Sequence, residues 1–194
     1  MPPVPGPVPH AGVVIPIRAF TSGNARLAAV LDDRERVDLA MTMAAAVVAA
    51  AGELPIVVVS SAPEVRSWSA VAAHTVIGDP GTRLDGAVTA GFAHLAARGV
   101  TRVIVAHADL PRARPGSLAQ FATDPPDVVS IVPCHRDDGT PVISLPVSPP
   151  FEFAYGPGSA RRHAAIARRL GLSVRVVRDA DLGFDIDIPE DLLG

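Results

Sequence analysis

Short apolar runs alternate along this 194-residue chain with longer segments in which apolar residues recur every three or four positions. The short runs are rich in Val and Ile, which is typical of strands buried on both faces of a sheet. Four of them carry this signal clearly: residues 12–18, 54–60, 102–107 and 127–133.

The longer segments predict helices between those strands. Helical spacing is clear over 33–51, which ends at Gly52, and over 84–98, which ends at Gly99. The other predicted elements are helical segments at 62–69, 115–122 and from Ser159 to about 170, strands at 75–77, 140–145 and 173–177, and a terminal helix begun by Pro189.

Alternating strands and helices predict a single-domain, Rossmann-like α/β fold, with a mostly parallel sheet and helices on both faces. The strand at 140–145 follows a polar turn and is expected to pair back as a β-hairpin insertion before the last helices. We therefore expect a Pro-rich flexible leader at 1–10 and one domain over 11–194. In such sheets ligands lie beyond the carboxyl ends of the strands, so the loops there are the candidate site.

Composition narrows the class of protein further. The chain is 48% hydrophobic with only 4% aromatic residues, so the core consists of Ala, Val, Leu and Ile. The net charge of −3 argues against a nucleic-acid or anionic membrane partner. Cys134 is the single cysteine, which excludes an intramolecular disulfide. The leader has no basic or apolar signal region, and we expect a cytoplasmic protein.

Three acidic residues stand where chemistry is expected. Asp109 follows the strand at 102–107, and His107 should face the same way because strand side chains alternate. Asp185 and Asp187 alternate in an extended segment, so they also share a direction. Mg²⁺ usually takes one or two protein carboxylates plus phosphates and water, and Asp109 with one of this pair would fit it. The alternative is that Asp109 caps a turn and Asp187 caps the terminal helix.

The loop after the first strand carries Arg18 at its start and Arg26 near its end. It has one glycine, so it is neither a P-loop nor a dinucleotide-binding fingerprint. Its arginines could still bind a triphosphate, since guanidinium groups suit phosphate oxygens. The alternative is a loop with two surface arginines.

The stretch at 153–159 combines two glycines and a proline in a tight bend before a helix. We expect Ser159 to be the N-cap of that helix, with free amides forming a site for a phosphate or carboxylate. Arg161, Arg162 and His163 in the first turn favour an anion, because basic residues are unfavourable there on dipole grounds. The alternative is an ordinary capped loop with solvated arginines. Together with the carboxylates and loop arginines, this pattern suits phosphoryl or nucleotidyl transfer.

A family resemblance joins these pieces. The segments that carry it are, in order, Ile15-Pro16-Ile17-Arg18, Asn24-Ala25-Arg26-Leu27-Ala28, Asp109-Leu110-Pro111, Gly139-Thr140, Phe153-Ala154-Tyr155-Gly156-Pro157-Gly158-Ser159 with His163, and Asp185-Ile186-Asp187-Ile188-Pro189-Glu190-Asp191-Leu192. In that order and spacing they resemble the 2-phospho-L-lactate guanylyltransferase family of coenzyme F420 biosynthesis, whose actinobacterial members act on phosphoenolpyruvate. The ending is shared with other nucleotidyltransferases, whereas the Tyr-Gly-Pro-Gly-Ser stretch is more specific.

The resemblance implies that GTP and a phosphorylated three-carbon acid give a guanosine diphosphate diester and pyrophosphate, with Mg²⁺ as cofactor. It implies three sets of residues: catalytic Arg26, Asp109 and Asp187, with the two aspartates holding the metal; nucleotide-binding Arg18, Asn24, Arg26, Arg83 and Asp85; and acid-binding Thr140, Gly156, Ser159 and His163. It also suggests a homodimer and hand-over of the product to the next enzyme of the pathway.

The chain departs from the family pattern at three places. Asn24 replaces a lysine, Arg83-Leu84-Asp85 replaces Gly-Leu-Asn, and Pro141 replaces a polar residue after Gly-Thr. Arg83 could restore the cation that is missing at position 24. The departures leave two alternatives open: a nucleotidyltransferase with another nucleotide or acceptor, such as a molybdopterin cytidylyltransferase-like enzyme, or a degenerate homologue that binds without turnover.

Overall fold

The computed structural model describes residues 10–21, 25–71, 74–136 and 139–193. Within these segments one sheet contains the strands Ala11–Pro16 (β1), Ile56–Val59 (β2), Thr75–Ile77 (β3), Arg102–Ala106 (β4), Val128–Val132 (β5), Val142–Pro146 (β6) and Ser173–Val176 (β7). The α-helices are Asp33–Ala50 (α1), Pro63–Val71 (α2), Arg83–Ala96 (α3) and Ser159–Arg169 (α4). Short 3-10 helices cover Ala25–Ala29, Ser117–Phe121 and Pro189–Leu193.

The strand order across the sheet is β3-β2-β1-β4-β6-β5-β7. Strands β1 to β4 are mutually parallel where they pair, and β7 runs parallel to β5. Strand β6 is antiparallel to both of its neighbours, β4 and β5. The predicted α/β class and the predicted hairpin are therefore confirmed, and the returning strand lies inside the sheet rather than at its edge.

Both faces of the sheet are covered, as the uninterrupted apolar strands require. Along β1 the side chains alternate, so that Val13 and Ile15 join the core beneath α1, whereas Val14 joins the core beneath α3 and α4. Gly91 lets α3 approach β1 closely, because a Cβ there would lie 2.5 Å from Cγ1 of Val14. The two cores pack on opposite faces of the sheet and so position the ends of its strands.

Three local predictions differ from the structure. The first strand ends at Pro16, so Arg18 belongs to the following loop. The helical segment predicted at 115–122 is the 3-10 helix Ser117–Phe121. The prediction that Ser159 is the N-cap of α4 is wrong: Gly158 holds that position with a φ of 72°, which glycine adopts without steric cost.

No helix in the described segments is long and apolar enough to cross a membrane.

Candidate functional site

A cavity of about 610 Å³ lies at the C-terminal ends of β1 and β4, where this class of sheet places its ligands. Arg18 comes to it from the loop after β1, and His107 and Asp109 come from the loop after β4. Arg83, the first residue of α3, and Asp187 from the C-terminal segment also line the cavity, as does Asp79 from the turn before α3. The fold thus brings together four of the predicted site residues, two arginines and two aspartates.

Asp109 has a buried carboxyl group with one unpaired oxygen atom among the described residues. Its Oδ1 atom is buried and has no hydrogen-bond partner among the described residues. Burial raises the pKa of Asp109 to about 6, and the nearby charge of Asp187 contributes in the same direction. A cation or a hydrogen-bond donor at this position would stabilise the ionised carboxylate.

Asp185 belongs to the same carboxylate group. Burial raises the pKa of Asp185, and the charge of Asp109 raises it further. The backbone N–H of Ile186 donates to the carbonyl oxygen of Asp109 at 3.2 Å, which ties the C-terminal segment to the loop after β4. The sequence expected only one of the Asp185–Asp187 pair to join Asp109, whereas the structure places both near it.

No group of three His, Cys, Asp or Glu side chains in the described part of the chain is arranged to hold a metal ion by itself. Asp109, Asp185 and Asp187 are nevertheless the residues that could contribute to one, because their oxygens are hard ligands and Oδ1 of Asp109 is unpaired. A cation here would complete its coordination with oxygens from a bound substrate.

Asp191 organises the segment that carries these carboxylates, and sequence reasoning missed this role. Its Oδ2 atom accepts the backbone N–H groups of Asp187 at 2.9 Å and Ile188 at 3.0 Å. Its Oδ1 atom accepts a 2.8 Å bond from Arg136, whose other terminal nitrogen lies 3.4 Å from Asp185. Burial acts to raise the pKa of Asp191, but these donors outweigh it and the pKa is lowered. The spacing of four residues between Asp187 and Asp191 was the signal in the sequence that could have predicted this contact.

His135 also contacts the carboxylate of Asp185. Its Nδ1 atom lies 3.2 Å from the Asp185 carboxylate, and its ring stacks on Phe184 with centroids 4.9 Å apart. Arg112 lies over the same Phe184 ring at 3.6 Å. From the sequence, His135 was expected in a polar turn near the site, with a structural role as the default interpretation.

The three arginines near the cavity differ in their contacts. Arg26 forms an ion pair with Asp187, and both side chains are about half exposed or more, at 68% and 48%. The side chains of Arg18 and Arg83 make no hydrogen bond or ion pair within the segments described. Arg83 has a φ of 70°, the left-handed region that favours glycine, and is the one non-glycine residue described with a positive φ.

Two of the described residues predicted to bind nucleotide, Arg26 and Asp85, do not line the cavity. Asn24 lies outside the described residues. The Oδ1 atom of Asp85 accepts a 2.7 Å hydrogen bond from the backbone N–H of Tyr155. Asp85 therefore tethers the start of α3 to the loop before α4, a contact that an asparagine could also make through its carbonyl oxygen.

The predicted acid-binding residues form a second cluster. The hydroxyl oxygens of Thr140 and Ser159 are 2.9 Å apart, and Nδ1 of His163 lies 3.1 Å from the Thr140 oxygen. The Nε2 atom of His163 accepts a 3.0 Å bond from the backbone N–H of Ala154. These three side chains are buried, whereas Gly156 is exposed. Both ring nitrogens of His163, which was predicted to bind substrate, contact neighbouring protein groups.

Arg162 was expected to favour an anion at the start of α4. In the structure its guanidinium donates to the carbonyl oxygens of the preceding loop: Ala154 at 2.9 Å, Tyr155 at 3.0 Å and Gly156 at 3.2 Å. A donor group so engaged fixes the loop and is not free for a ligand. The expectation is corrected for Arg162, whereas Arg161 is exposed.

Tyr155 connects the two clusters. Its ring lies 5.2 Å from that of His107, which lines the cavity, and 4.8 Å from that of His163. Its phenolic oxygen is buried without a hydrogen-bond partner in the described residues, and burial raises the pKa of the phenol. Burial also lowers the pKa of His107 to about 4, so its imidazole is neutral at pH 7.

The fold is similar to that of nucleotide-diphospho-sugar transferase-like α/β proteins. A solved structure from Desulfovibrio desulfuricans G20, assigned as such a transferase, matches with a TM-score of 0.75 over 94% of this chain and 84% of that one. The two sequences are 15% identical, so this likeness concerns the fold alone.

Sequence comparison identifies the family within that class. The chain belongs to the family described as "Guanylyl transferase CofC like", which matches residues 11–194. A phosphoenolpyruvate guanylyltransferase from Sphaerobacter thermophilus is 32% identical over 184 residues, covering 92% of this chain and 89% of the relative. A 3-phospho-D-glycerate guanylyltransferase from Phenylobacterium zucineum is 30% identical over 191 residues, covering 93% and 87%. The resemblance inferred from the motifs is confirmed.

Proposed function

We propose that this protein is a guanylyltransferase that joins the GMP moiety of GTP to a phosphorylated three-carbon acid, with release of pyrophosphate, in coenzyme F420 biosynthesis. The family match over residues 11–194 supports the reaction class. The observation that carries the proposal for this chain is the shared cavity, which combines Arg18 and Arg83 with Asp109 and Asp187. Cations suited to phosphates therefore face carboxylates suited to a metal.

The proposed reaction is an in-line displacement. A phosphate oxygen of the acid attacks the α-phosphorus of GTP, a new phosphorus–oxygen bond forms, and the bond to the β-phosphate bridging oxygen breaks. Pyrophosphate leaves with that oxygen. Because the attacking phosphate is already an anion at neutral pH, the protein supplies position and charge rather than a general base.

The residues have separate tasks in this proposal. Arg18 and Arg83, whose side chains are unpaired within the described segments, neutralise the β- and γ-phosphates. Arg26 exchanges its ion pair with Asp187 for a phosphate contact when nucleotide is present. Asp109 and Asp187, with Asp185 beside them, hold Mg²⁺. When bound, the ion would offset charge on the phosphates.

The acid is proposed to lie towards the second cluster, with Gly156 at its exposed side. Relatives of about 30% identity are named for phosphoenolpyruvate and for 3-phospho-D-glycerate, two acids that each combine a phosphate with a carboxylate. We expect phosphoenolpyruvate to be the better substrate here.

Pyrophosphate release tests this function directly. Purified protein is incubated with GTP, Mg²⁺ and phosphoenolpyruvate, 2-phospho-L-lactate or 3-phosphoglycerate, with an Asp109→Asn variant as the inactive control. We expect pyrophosphate release with at least one of the acids. The rate of release should fall by roughly two orders of magnitude or more in the Asp109→Asn variant. Folded wild-type protein that releases nothing with any acid would show the proposal to be wrong, and would favour a homologue that binds without turnover.

A panel of GTP, ATP, CTP and UTP in the same assay decides the nucleotide. The family supports GTP, and a preference for CTP would instead favour the cytidylyltransferase alternative. The cytoplasmic location, the homodimer and the hand-over of product remain predictions.

A further inference from the structure

His163 joins three segments of the chain at one buried point. It lies on α4, its Nε2 atom accepts the N–H of Ala154 in the loop before that helix, and its Nδ1 atom meets the hydroxyl of Thr140 before β6. The histidine itself is 0% exposed. Its polar contacts are therefore with protein groups, and the donors and acceptors among them determine which ring nitrogen carries a proton.

The contact with Ala154 determines the tautomer. A backbone N–H can only donate, so Nε2 must carry the lone pair and the proton of the neutral ring must be on Nδ1. Burial, reinforced by the charge of Arg162, lowers the pKa of His163 to about 4, and the ring is neutral at pH 7. The Nδ1–H group consequently donates to Thr140.

This donation leaves one hydroxyl proton without an acceptor. Thr140 and Ser159 have two hydroxyl protons between them, and the 2.9 Å bond that joins their oxygens uses one. His163 cannot accept the other, because its one lone pair is engaged by Ala154. Whichever hydroxyl donates to its neighbour, the pair retains one free O–H donor within the described residues.

The free donor lies next to the proposed acid site. Pro141, which follows Thr140, accepts the backbone N–H of His107 at 2.9 Å, and His107 lines the cavity. Tyr155 packs between the rings of His107 and His163. Both hydroxyl residues are about 1% exposed, and a hydrogen bond to an anion in such surroundings is stronger than in water. Gly156, whose carbonyl oxygen accepts the backbone N–H of Ser159 at 3.0 Å, is exposed.

We infer that His163 is a positioning residue, which ties the loop at Ala154 to the Thr140–Ser159 pair and commits that pair to donate one hydrogen bond to an acceptor oxygen of the acid, a phosphate or carboxylate oxygen. The inference rests on the proposed function for the identity of the ligand. The tautomer of His163 and the count of the two hydroxyl protons do not depend on that function.

Nitrogen-15 NMR of the histidine rings tests the tautomer in wild-type protein near neutral pH. The expected spectrum has the His163 proton on Nδ1, with the signal assigned by its absence in His163→Gln. A ring protonated on Nε2, or on both nitrogens, would overturn the inference whatever the activity of the enzyme.

Steady-state kinetics test the positioning role. Asparagine places an amide N–H near the Nδ1 position, whereas glutamine places an acceptor near Nε2. We expect His163→Gln to raise the KM for the acid about tenfold with an unchanged KM for GTP, and His163→Asn to raise it less. Thr140→Val should have an effect like that of His163→Gln, and the double variant should be no worse than either, because His163 acts through Thr140.

The matched structural control is Phe151→Leu, since Phe151 packs on the His163 ring at 5.9 Å but makes no hydrogen bond with it. This variant should lose stability and keep the acid KM. An acid KM that rises equally in Phe151→Leu, or additive effects in the double variant, would overturn the inference.

Direct binding separates this inference from the proposed reaction. If wild-type protein binds phosphoenolpyruvate by calorimetry without releasing pyrophosphate, the reaction fails, and a tenfold weaker binding in His163→Gln still supports the positioning role. If wild-type protein releases pyrophosphate but His163→Gln binds the acid as tightly as wild type does, the reaction stands and the inference fails.

Discussion

Asp85 and Tyr155 are 70 residues apart in sequence, and the carboxylate of the first accepts a 2.7 Å hydrogen bond from the backbone N–H of the second. The contact joins the start of α3, which borders the cavity, to the loop that leads into α4. Asp85 stands where related sequences are expected to have asparagine. The bond explains why either residue serves, because both offer an oxygen acceptor.

Replacement of Asp85 tests this tether. Asp85→Ala leaves a partly buried N–H without an acceptor, which should cost about 1–2 kcal/mol of unfolding free energy and raise the KM for the acid. Asp85→Asn should stay near wild type in urea unfolding and in kinetics. Equal losses in both variants would mean that the negative charge, rather than the accepted bond, matters.

Arg83 should show opposite effects on stability and binding. Its φ of 70° costs about 1–2 kcal/mol for a non-glycine residue, and it adds a cation at a helix N-terminus. Arg83→Gly should therefore leave the melting temperature unchanged or raised, while GTP binds about tenfold more weakly because a phosphate contact is lost. Arg66→Gln removes an exposed arginine that does not line the cavity, and GTP affinity should not change. A destabilised Arg83→Gly with normal GTP affinity would contradict the assignment.

Variants of Asp191 and of Glu190 form a matched pair that tests the segment carrying Asp185 and Asp187. Asp191→Asn weakens the hold on the Asp187 backbone and on Arg136, so more Mg²⁺ should be needed for half-maximal activity and the rate should fall about tenfold. Glu190 is exposed and its side chain makes no hydrogen bond or ion pair within the described residues, so Glu190→Gln should behave as wild type. Magnesium titration of the rate, with unfolding curves for both variants, is the measurement. Similar Mg²⁺ titration curves for the two variants would show that Asp191 does not organise the segment that carries the carboxylates.

Acid should destabilise the ligand-free protein through its buried histidines. The pKa values of His107 and His163 are lowered to about 4, so their stabilising effect is full above about pH 6.5 and is lost as the pH falls towards 4. The raised pKa of Asp109, about 6, acts in the opposite sense, because protonation relieves its burial as the pH falls. Urea unfolding at about pH 7.5 and about pH 5 should show a net loss of stability on acidification.

Two variants resolve these opposing contributions. His163→Asn should lose less stability between the two pH values than wild type does, by about 1–2 kcal/mol. Asp109→Asn should lose more, since the compensating carboxylate is gone. Identical pH dependence in all three proteins would contradict the burial of both groups.

The strands and their order along the chain followed from sequence because buried parallel strands leave uninterrupted Val and Ile runs. Asp109 could be placed at the site for the same reason, since it comes directly after such a run. The N-cap of α4 was misjudged because Gly158 can adopt the left-handed turn that a serine cap does not need. Whether Asn24 belongs to the site is a prediction that the described residues do not test.

By itself the sequence determined the α/β class, the family and the residue types of the cavity, because these depend on local periodicity and on motifs whose members are close in sequence. Tertiary structure decided which side chains contact one another. Ser159 forms a hydrogen bond with Thr140 rather than capping its own helix, and Arg162 binds loop carbonyl groups. The backbone N–H of Ala154 determines the tautomer of His163. A hydrogen bond depends on distance and direction in space, and neither is encoded in the spacing of residues along the chain.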